Sequence, residues 1–180
     1  MADVDVLAQL KDETFGSLRL LLENVAGLSD AQVNARPGGT LPSIAFHVWH
    51  SARWVDYDCE VCAGVPQVWL SRGFAERWQL EGIEQSDGGT GTGLDDDQAA
   101  ALRLSDTREL LAYASDALTL LEETVARLEA GQLALRPDPR ESRVESVEAL
   151  LFGHLTHVNR HLGMVEAIKG LQGMHGTATR

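Results

Sequence analysis

The chain has little cysteine, and what it has does not form a recognisable zinc or redox motif. Its two cysteines, Cys59 and Cys62, make one isolated C-x-x-C pattern. A zinc ribbon needs a second ligand pair at matching spacing, and a thioredoxin-type motif begins a helix that follows a strand. The pattern here lies inside a predicted helix. We therefore interpret both cysteines as ordinary helix residues.

Positive charge and long hydrophobic runs are also scarce. The 15 basic and 27 acidic residues give a formal net charge of −12. An acidic protein repels phosphate backbones and anionic membranes, and there is no local basic patch, so we expect no nucleic-acid and no membrane partner. No apolar run approaches the roughly 18 residues of a membrane span. The first ten residues lack the basic region of a signal peptide, which predicts a cytoplasmic location.

What the chain does contain is helical periodicity. Its 180 residues, 44% of them hydrophobic, are typical of one globular domain spanning residues 1–180. Apolar residues at three- and four-residue steps, with capping residues and terminal glycines, predict four long helices. These run from Val4 to Val25, Ser43 to Ala63, Asp106 to Ala130 and Ser142 to Lys169. With almost no strand pattern, they predict an all-α four-helix bundle.

An insertion at residues 67–105 separates the second and third predicted helices. Phe74, Trp78 and Leu80 in its first part predict a short helix that packs over one end of the bundle. The second part reads DGGTGTGLDDD at residues 87–97. It lacks the ending of a phosphate-binding loop and the ligand spacing of an EF-hand, so we interpret it as a solvated, partly mobile loop. Residues 171–180 form a predicted tail.

Five of the six histidines fall in two short clusters. His47 and His50 lie in the second predicted helix, and the pattern H-x-x-H-x-x-x-H places His154, His157 and His161 in the fourth. Residues three, four and seven apart share one side of a helix, which here is the apolar side. Burying polar rings costs free energy unless each finds a partner. Because imidazole is the commonest transition-metal ligand, the clusters predict a metal site between two helices.

The sequence does not favour all five histidines equally as metal ligands. A lone histidine at the edge of a core face is usually structural, and we interpret His47 in that way. His157 and His161 form an i, i+4 pair opposite a third buried histidine, His50, which favours all three as ligands. His154 can be a ligand, a partner of a ligand or a proton carrier near the metal.

Other patterns narrow the kind of site. Ferritin-like di-iron bundles use Glu-x-x-His on two helices, and zinc proteases use His-Glu-x-x-His; the sequence contains neither. A mononuclear, histidine-dominated site remains. Arg53, one helical turn from His50, can bind an anionic group or pair with Asp56, and we favour the pairing.

Two segments of the chain resemble the DinB-like superfamily of four-helix metal-binding proteins. They are SIAFHVWHSARWVD (Ser43 to Asp56) and HLTHVNRHLGMVEAIKGLQGMHGTAT (His154 to Thr179). The resemblance covers nearly the whole chain in order. By position, it implies that His50, His157 and His161 bind a divalent metal, usually zinc or nickel in that family, with water completing the shell. His47 and His154 are additional to this pattern.

The resemblance also implies a homodimer and a thiol-dependent transferase or isomerase acting on a small-molecule substrate with a low-molecular-weight thiol. Three neutral histidines leave a coordination position open, as in catalytic zinc sites, and His154 is the candidate for proton transfer. One alternative is a metal-dependent hydrolase that activates water. Another is a non-catalytic, stress-associated bundle in which the metal stabilises the fold. A binding module without a metal is a third.

Overall fold

A computed structural model describes residues 5–104, 106–136 and 144–177. In these ranges the regular secondary structure is helical, apart from one isolated antiparallel bridge between Asp87 and Thr92. The helices are α1 (Val6–Val25), α2 (Asp30–Val33), α3 (Ile44–Ala63), α4 (Val68–Ser71), α5 (Phe74–Trp78), α6 (Asp96–Ala101), α7 (Thr107–Glu129) and α8 (Val147–Leu171), with a 3-10 turn at Ile83–Gln85. None of these helices combines the length and the apolar composition needed to cross a membrane. The all-α prediction is confirmed.

Side-chain caps set where the two histidine-bearing helices begin. The Ser43 hydroxyl accepts a hydrogen bond from the backbone N–H of Phe46 before α3. Ser146 does the same for Ala149 before α8. Such caps satisfy backbone N–H groups that have no partner within the helix. The starts predicted for the first and fourth helices, Val4 and Ser142, lie outside the described residues.

The four long helices form a bundle in which α3 is the central element. It contacts both α7 and α8, and α1 packs on the same two helices from the opposite side. Every residue of α3 from Ile44 to Cys59 is buried except Trp54. The core between the helices includes Leu21, Val25, Val48, Leu110, Leu121, Leu151 and Ile168. A helix buried almost all round can present polar side chains only to other parts of the protein.

The insertion begins with an aromatic cluster on Tyr113 of α7. Trp69, Phe74 and Trp78, from α4 and α5, place their ring centroids 5.0 to 5.8 Å from the Tyr113 ring. These are edge or tilted contacts of the kind that aromatic rings favour. Helix α5 agrees with the short helix predicted from Phe74 and Trp78.

The second part of the insertion contains a glycine loop, residues 86–93, which is not solvated throughout as the sequence predicts. Thr90 has no exposed surface, and the backbone N–H of Asp87 donates to the carbonyl of Thr92 across 3.0 Å. Since glycine has no Cβ, the loop backbone can approach α3 closely at Gly91. Composition indicated solvent exposure, but the backbone of this loop finds its partners on a buried helix.

Candidate metal centre

Three imidazoles from two helices converge on one point. His50 lies on α3, and His157 and His161 lie one turn apart on α8. The Nε2 atom of His157 is 3.2 Å from Nε2 of His50 and 3.1 Å from Nε2 of His161. One ligand nitrogen from each residue lies within 4.8 Å of the others. The structure therefore brings together the three histidines that the sequence predicts as ligands.

The spacing of these nitrogens fits a single divalent cation. A zinc–nitrogen bond of about 2.1 Å places two ligand nitrogens about 3.4 Å apart at a tetrahedral angle and about 3.0 Å apart at a right angle. The two observed Nε2 separations, 3.2 and 3.1 Å, lie between these values. Neutral nitrogen donors also suit zinc and nickel. Donor type and spacing both agree with a metal site.

A hydrogen bond determines which nitrogen of His50 faces the other two imidazoles. Its Nδ1 atom lies 2.6 Å from the carbonyl oxygen of Thr90. A carbonyl oxygen only accepts, so Nδ1 carries the proton and donates it. Nε2 is then left with a lone pair directed at the neighbouring His157. A hydrogen bond of this kind fixes both tautomer and ring orientation in metal-ligating histidines.

His47 lies behind His161 rather than among the three converging nitrogens. The Nδ1 atoms of His47 and His161 are 2.9 Å apart. If Nε2 of His161 is to present a lone pair, its Nδ1 must donate and that of His47 must accept. The proton of His47 then lies on Nε2, which is buried without a hydrogen-bond partner among the described residues. His47 thus orients His161, a role that sequence reasoning missed.

Burial keeps the converging imidazoles neutral. Burial, with a smaller effect of neighbouring imidazoles, lowers the pKa of His157 to about 3 and that of His161 to about 2. Burial also lowers the pKa of His50, although the hydrogen bond to Thr90 opposes the change. The neutral ring is the form that binds metals. Three neutral donors leave the charge of a divalent cation uncompensated, so the site would attract an anionic ligand.

An open cleft of about 460 Å³ gives access to the three histidines. Its other lining residues include both apolar and polar side chains: Leu41, Pro42, His47, Trp54, Thr92, Asp96, Arg160 and Met164. Arg160 is exposed on α8, three residues after His157. A small molecule can therefore reach the converging nitrogens from solvent, past a guanidinium group.

The sequence matches the family model of the DinB superfamily over residues 16–165. The chain belongs to the DinB superfamily. The region of this DinB protein that matches contains His50, His157 and His161. The resemblance inferred from the two sequence segments is confirmed.

A solved structure shows the same fold as this DinB protein. It is the crystal structure of a conserved protein from Enterococcus faecalis, which superposes with a TM-score of 0.71 at 16% sequence identity. The alignment covers 94% of this chain and 98% of that chain. At this identity the likeness concerns the fold alone. No curated protein matches the sequence.

In this DinB protein, His154 does not line the cleft. It is 4% exposed, and its Nε2 lies 3.2 Å from a carboxylate oxygen of Asp58 on α3. Both residues line a neighbouring cavity of about 320 Å³, which shares Trp54 and His157 with the cleft. Burial lowers the pKa of His154 to about 4. The residue predicted for proton transfer thus faces a carboxylate and not the converging nitrogens.

Arg53 makes the predicted pair with Asp56 and also holds the glycine loop. Its Nη1 lies 3.3 Å from a carboxylate oxygen of Asp56. Its Nε donates to the carbonyl of Gly89 across 3.1 Å, and its Nη2 donates to that of Gly88 across 3.2 Å. These loop contacts could not be found in the sequence, because backbone carbonyls carry no residue-specific signal.

Proposed function

We propose that this DinB protein is a divalent-metal-dependent enzyme that acts on small molecules. The supporting observation is the convergence of three Nε2 atoms, 3.1 and 3.2 Å apart, beside an open cleft. Three protein ligands leave at least one position on a zinc or nickel ion free, which is typical of catalytic rather than structural sites. A bound cation would lower the pKa of a coordinated thiol or water and polarise a carbonyl group.

The reaction that we infer is thiol-dependent group transfer or isomerisation. A thiolate is a soft donor that suits zinc and nickel, and the walls at Trp54 and Met164 provide apolar contact for a thiol or an electrophile. Arg160 can hold a carboxylate on either one, because a guanidinium group binds carboxylates with two parallel hydrogen bonds. We therefore propose anionic small molecules as the substrate class.

Cobalt substitution tests this proposal, since cobalt(II) reports its ligands in the visible spectrum. Metal-free protein without a polyhistidine tag is loaded with Co²⁺ and titrated with 3-mercaptopropionate, which is anionic, and 2-mercaptoethanol, which is neutral. We expect a saturable thiolate-to-cobalt charge-transfer band with both thiols and tighter binding of the anionic one. The substitution Arg160→Gln should weaken binding of 3-mercaptopropionate and leave that of 2-mercaptoethanol unchanged.

Arg127→Gln is the matched control, because it removes the same charge from an exposed position on α7. It should preserve the preference for the anionic thiol. A cobalt-loaded protein whose spectrum responds to neither thiol would contradict thiol-dependent chemistry. If the band appears, turnover of a panel of electrophiles with thiol present then identifies the reaction.

A further inference from the structure

The glycine loop contacts His50 of the candidate metal centre through the backbone carbonyl of Thr90. The carbonyl oxygen of Thr90 accepts the Nδ1 hydrogen bond of His50 at 2.6 Å. The Thr90 hydroxyl donates to the carbonyl of Asp87 across 2.7 Å, which closes the loop on itself. Since Thr90 is fully buried, water does not take the place of this acceptor. The position of the loop therefore determines how the His50 ring is turned.

Gly91 allows the loop to lie close to α3 beside His50. Its φ of 94° is a conformation that other residues rarely adopt. A Cβ at this position would lie 2.8 Å from Cζ3 of Trp49 and 3.3 Å from both Nδ1 of His50 and Cε2 of Phe46. Gly93 has a similar φ of 87°, but a Cβ there would have no atom within 4 Å. Of these two glycines, only Gly91 must lack a side chain for the loop to lie this close to α3.

A buried guanidinium group holds the other end of the loop. Arg53 is 2% exposed and donates to the carbonyl oxygens of Gly88 and Gly89. Burying a charge costs free energy unless the charge is paired and hydrogen-bonded. These two hydrogen bonds offset part of that cost for Arg53. Gly89, which accepts a hydrogen bond from Arg53, directly precedes Thr90, which accepts one from His50.

Asp56 in turn fixes Arg53. The backbone N–H groups of Val68 and Trp69 donate to its two carboxylate oxygens across 2.7 and 2.8 Å. The hydroxyl of Tyr113 donates to it across 3.0 Å. Burial raises the pKa of Asp56, and these hydrogen bonds together with Arg53 oppose the change. The carboxylate is thus held by α4 and α7 at once.

We propose that the Arg53–Asp56 pair and the glycine loop form one unit that positions His50 for metal binding, with Arg53 and Gly91 as positioning residues. The inference rests on the metal site proposed above. The insertion then does more than cover α3, because its glycine loop orients a ligand of the metal.

Two alanine substitutions in the same loop test the inference. Gly91→Ala and Gly93→Ala both place a side chain at a positive φ, but only the first meets α3. We expect Gly91→Ala to weaken Zn²⁺ affinity by about 10- to 100-fold, the range found when an outer partner of a ligand is lost. It should also change the visible spectrum of the cobalt form. Gly93→Ala should keep the wild-type affinity within about twofold and the wild-type spectrum.

Arg53→Lys provides a second variant that does not depend on backbone strain. Lysine keeps a positive charge beside Asp56 but lacks the planar fork that reaches two carbonyl groups at once. We expect a folded protein with about tenfold weaker Zn²⁺ affinity. Affinities are measured by competition with a chelator, and the melting temperature of each metal-free variant is recorded alongside.

The outcomes separate this inference from the proposed function. If the wild-type protein binds no metal, both are wrong. If it binds one ion and folded Gly91→Ala binds Zn²⁺ as tightly with the same cobalt spectrum, the metal site stands and the positioning role is overturned. A variant that only melts earlier, with unchanged affinity in its folded state, overturns the positioning role in the same way.

Discussion

The cleft and the cavity beside it share a wall but differ in what their histidines face. Trp54 and His157 line both. On the cleft side, three imidazole nitrogens face one another and the group contains no carboxylate. In the cavity, the imidazole of His154 faces the carboxylate of Asp58 at 3.2 Å. The cavity places one imidazole beside one carboxylate, whereas the cleft offers a cation three nitrogen donors with no carboxylate among them.

The two environments, cleft and cavity, are only one turn of α8 apart. His154 and His157 lie on the same side of that helix, and their spacing does not distinguish them. His157 contacts His50, whereas His154, which comes earlier in α8, contacts Asp58, which comes later in α3. Helices α3 and α8 therefore run antiparallel. The residue across the interface therefore decides what each histidine does. Variants on each side test whether the cleft and the cavity are as separate as this geometry indicates.

The largest effect is expected from removing a converging nitrogen on the cleft side. His161→Ala should weaken Zn²⁺ affinity by more than the roughly 100-fold typical of an outer partner, because a direct ligand is lost. Competition with a chelator measures the change. His175→Ala is the control, since this histidine is exposed in the tail and lies outside the cleft. If His161→Ala binds Zn²⁺ as tightly as His175→Ala does, the cleft histidines are not the metal ligands.

Lowering the pH should destabilise the metal-free protein through the buried histidines of both the cleft and the cavity. Burial lowers the pKa of His47 and His154 to about 4 and that of His157 to about 3. An unfolded chain takes up protons on these rings near pH 6.5, whereas the folded protein does so only near the lower values. The melting temperature of the metal-free protein should therefore fall as the pH drops from about 6.5 towards 4. A constant melting temperature over this range would contradict the lowered pKa values of these histidines.

His47 tests whether the cleft histidines depend on their outer partners. His47→Ala removes the acceptor of the His161 Nδ1 proton and should weaken Zn²⁺ affinity by about 10- to 100-fold. His47→Asn places an amide oxygen near the former Nδ1 and should restore most of the affinity. If the asparagine variant binds as weakly as the alanine variant, the hydrogen bond is not what orients His161.

The smallest effect on metal binding is expected from the cavity side. His154→Gln removes the imidazole beside Asp58 and should leave Zn²⁺ affinity within about twofold of wild type, because the residue does not line the cleft. The melting temperature should decrease, since a buried contact is lost. A tenfold loss of affinity with an unchanged melting temperature would show that His154 acts on the metal after all.

Helical periodicity predicts much of this protein because burial of one helix face leaves a regular pattern. The second and third helices, predicted at 43–63 and 106–130, are observed at Ile44–Ala63 and Thr107–Glu129. The same periodicity places His50, His157 and His161 on buried faces, where the structure brings them together. A homodimer, a cytoplasmic location and the single-domain assignment stay predictions.

The glycine loop could not be predicted, for a physical reason. Its contacts run from backbone carbonyls of Gly88, Gly89 and Thr90 to side chains of Arg53 and His50. Backbone groups are present at every position, so they leave no pattern in a sequence. The partner of His154 was missed for a related reason, since helix periodicity gives the direction of a side chain but not the residue opposite.

Elemental analysis of protein purified without a polyhistidine tag tests the central claim most directly. Wild-type protein and His157→Ala are each exposed to excess Zn²⁺ or Ni²⁺, freed of unbound metal by gel filtration and analysed. The account predicts about one metal ion per chain in the wild type and almost none in the variant, because His157 supplies the nitrogen between the other two. Equal metal content in the two proteins, or none in either, would contradict it.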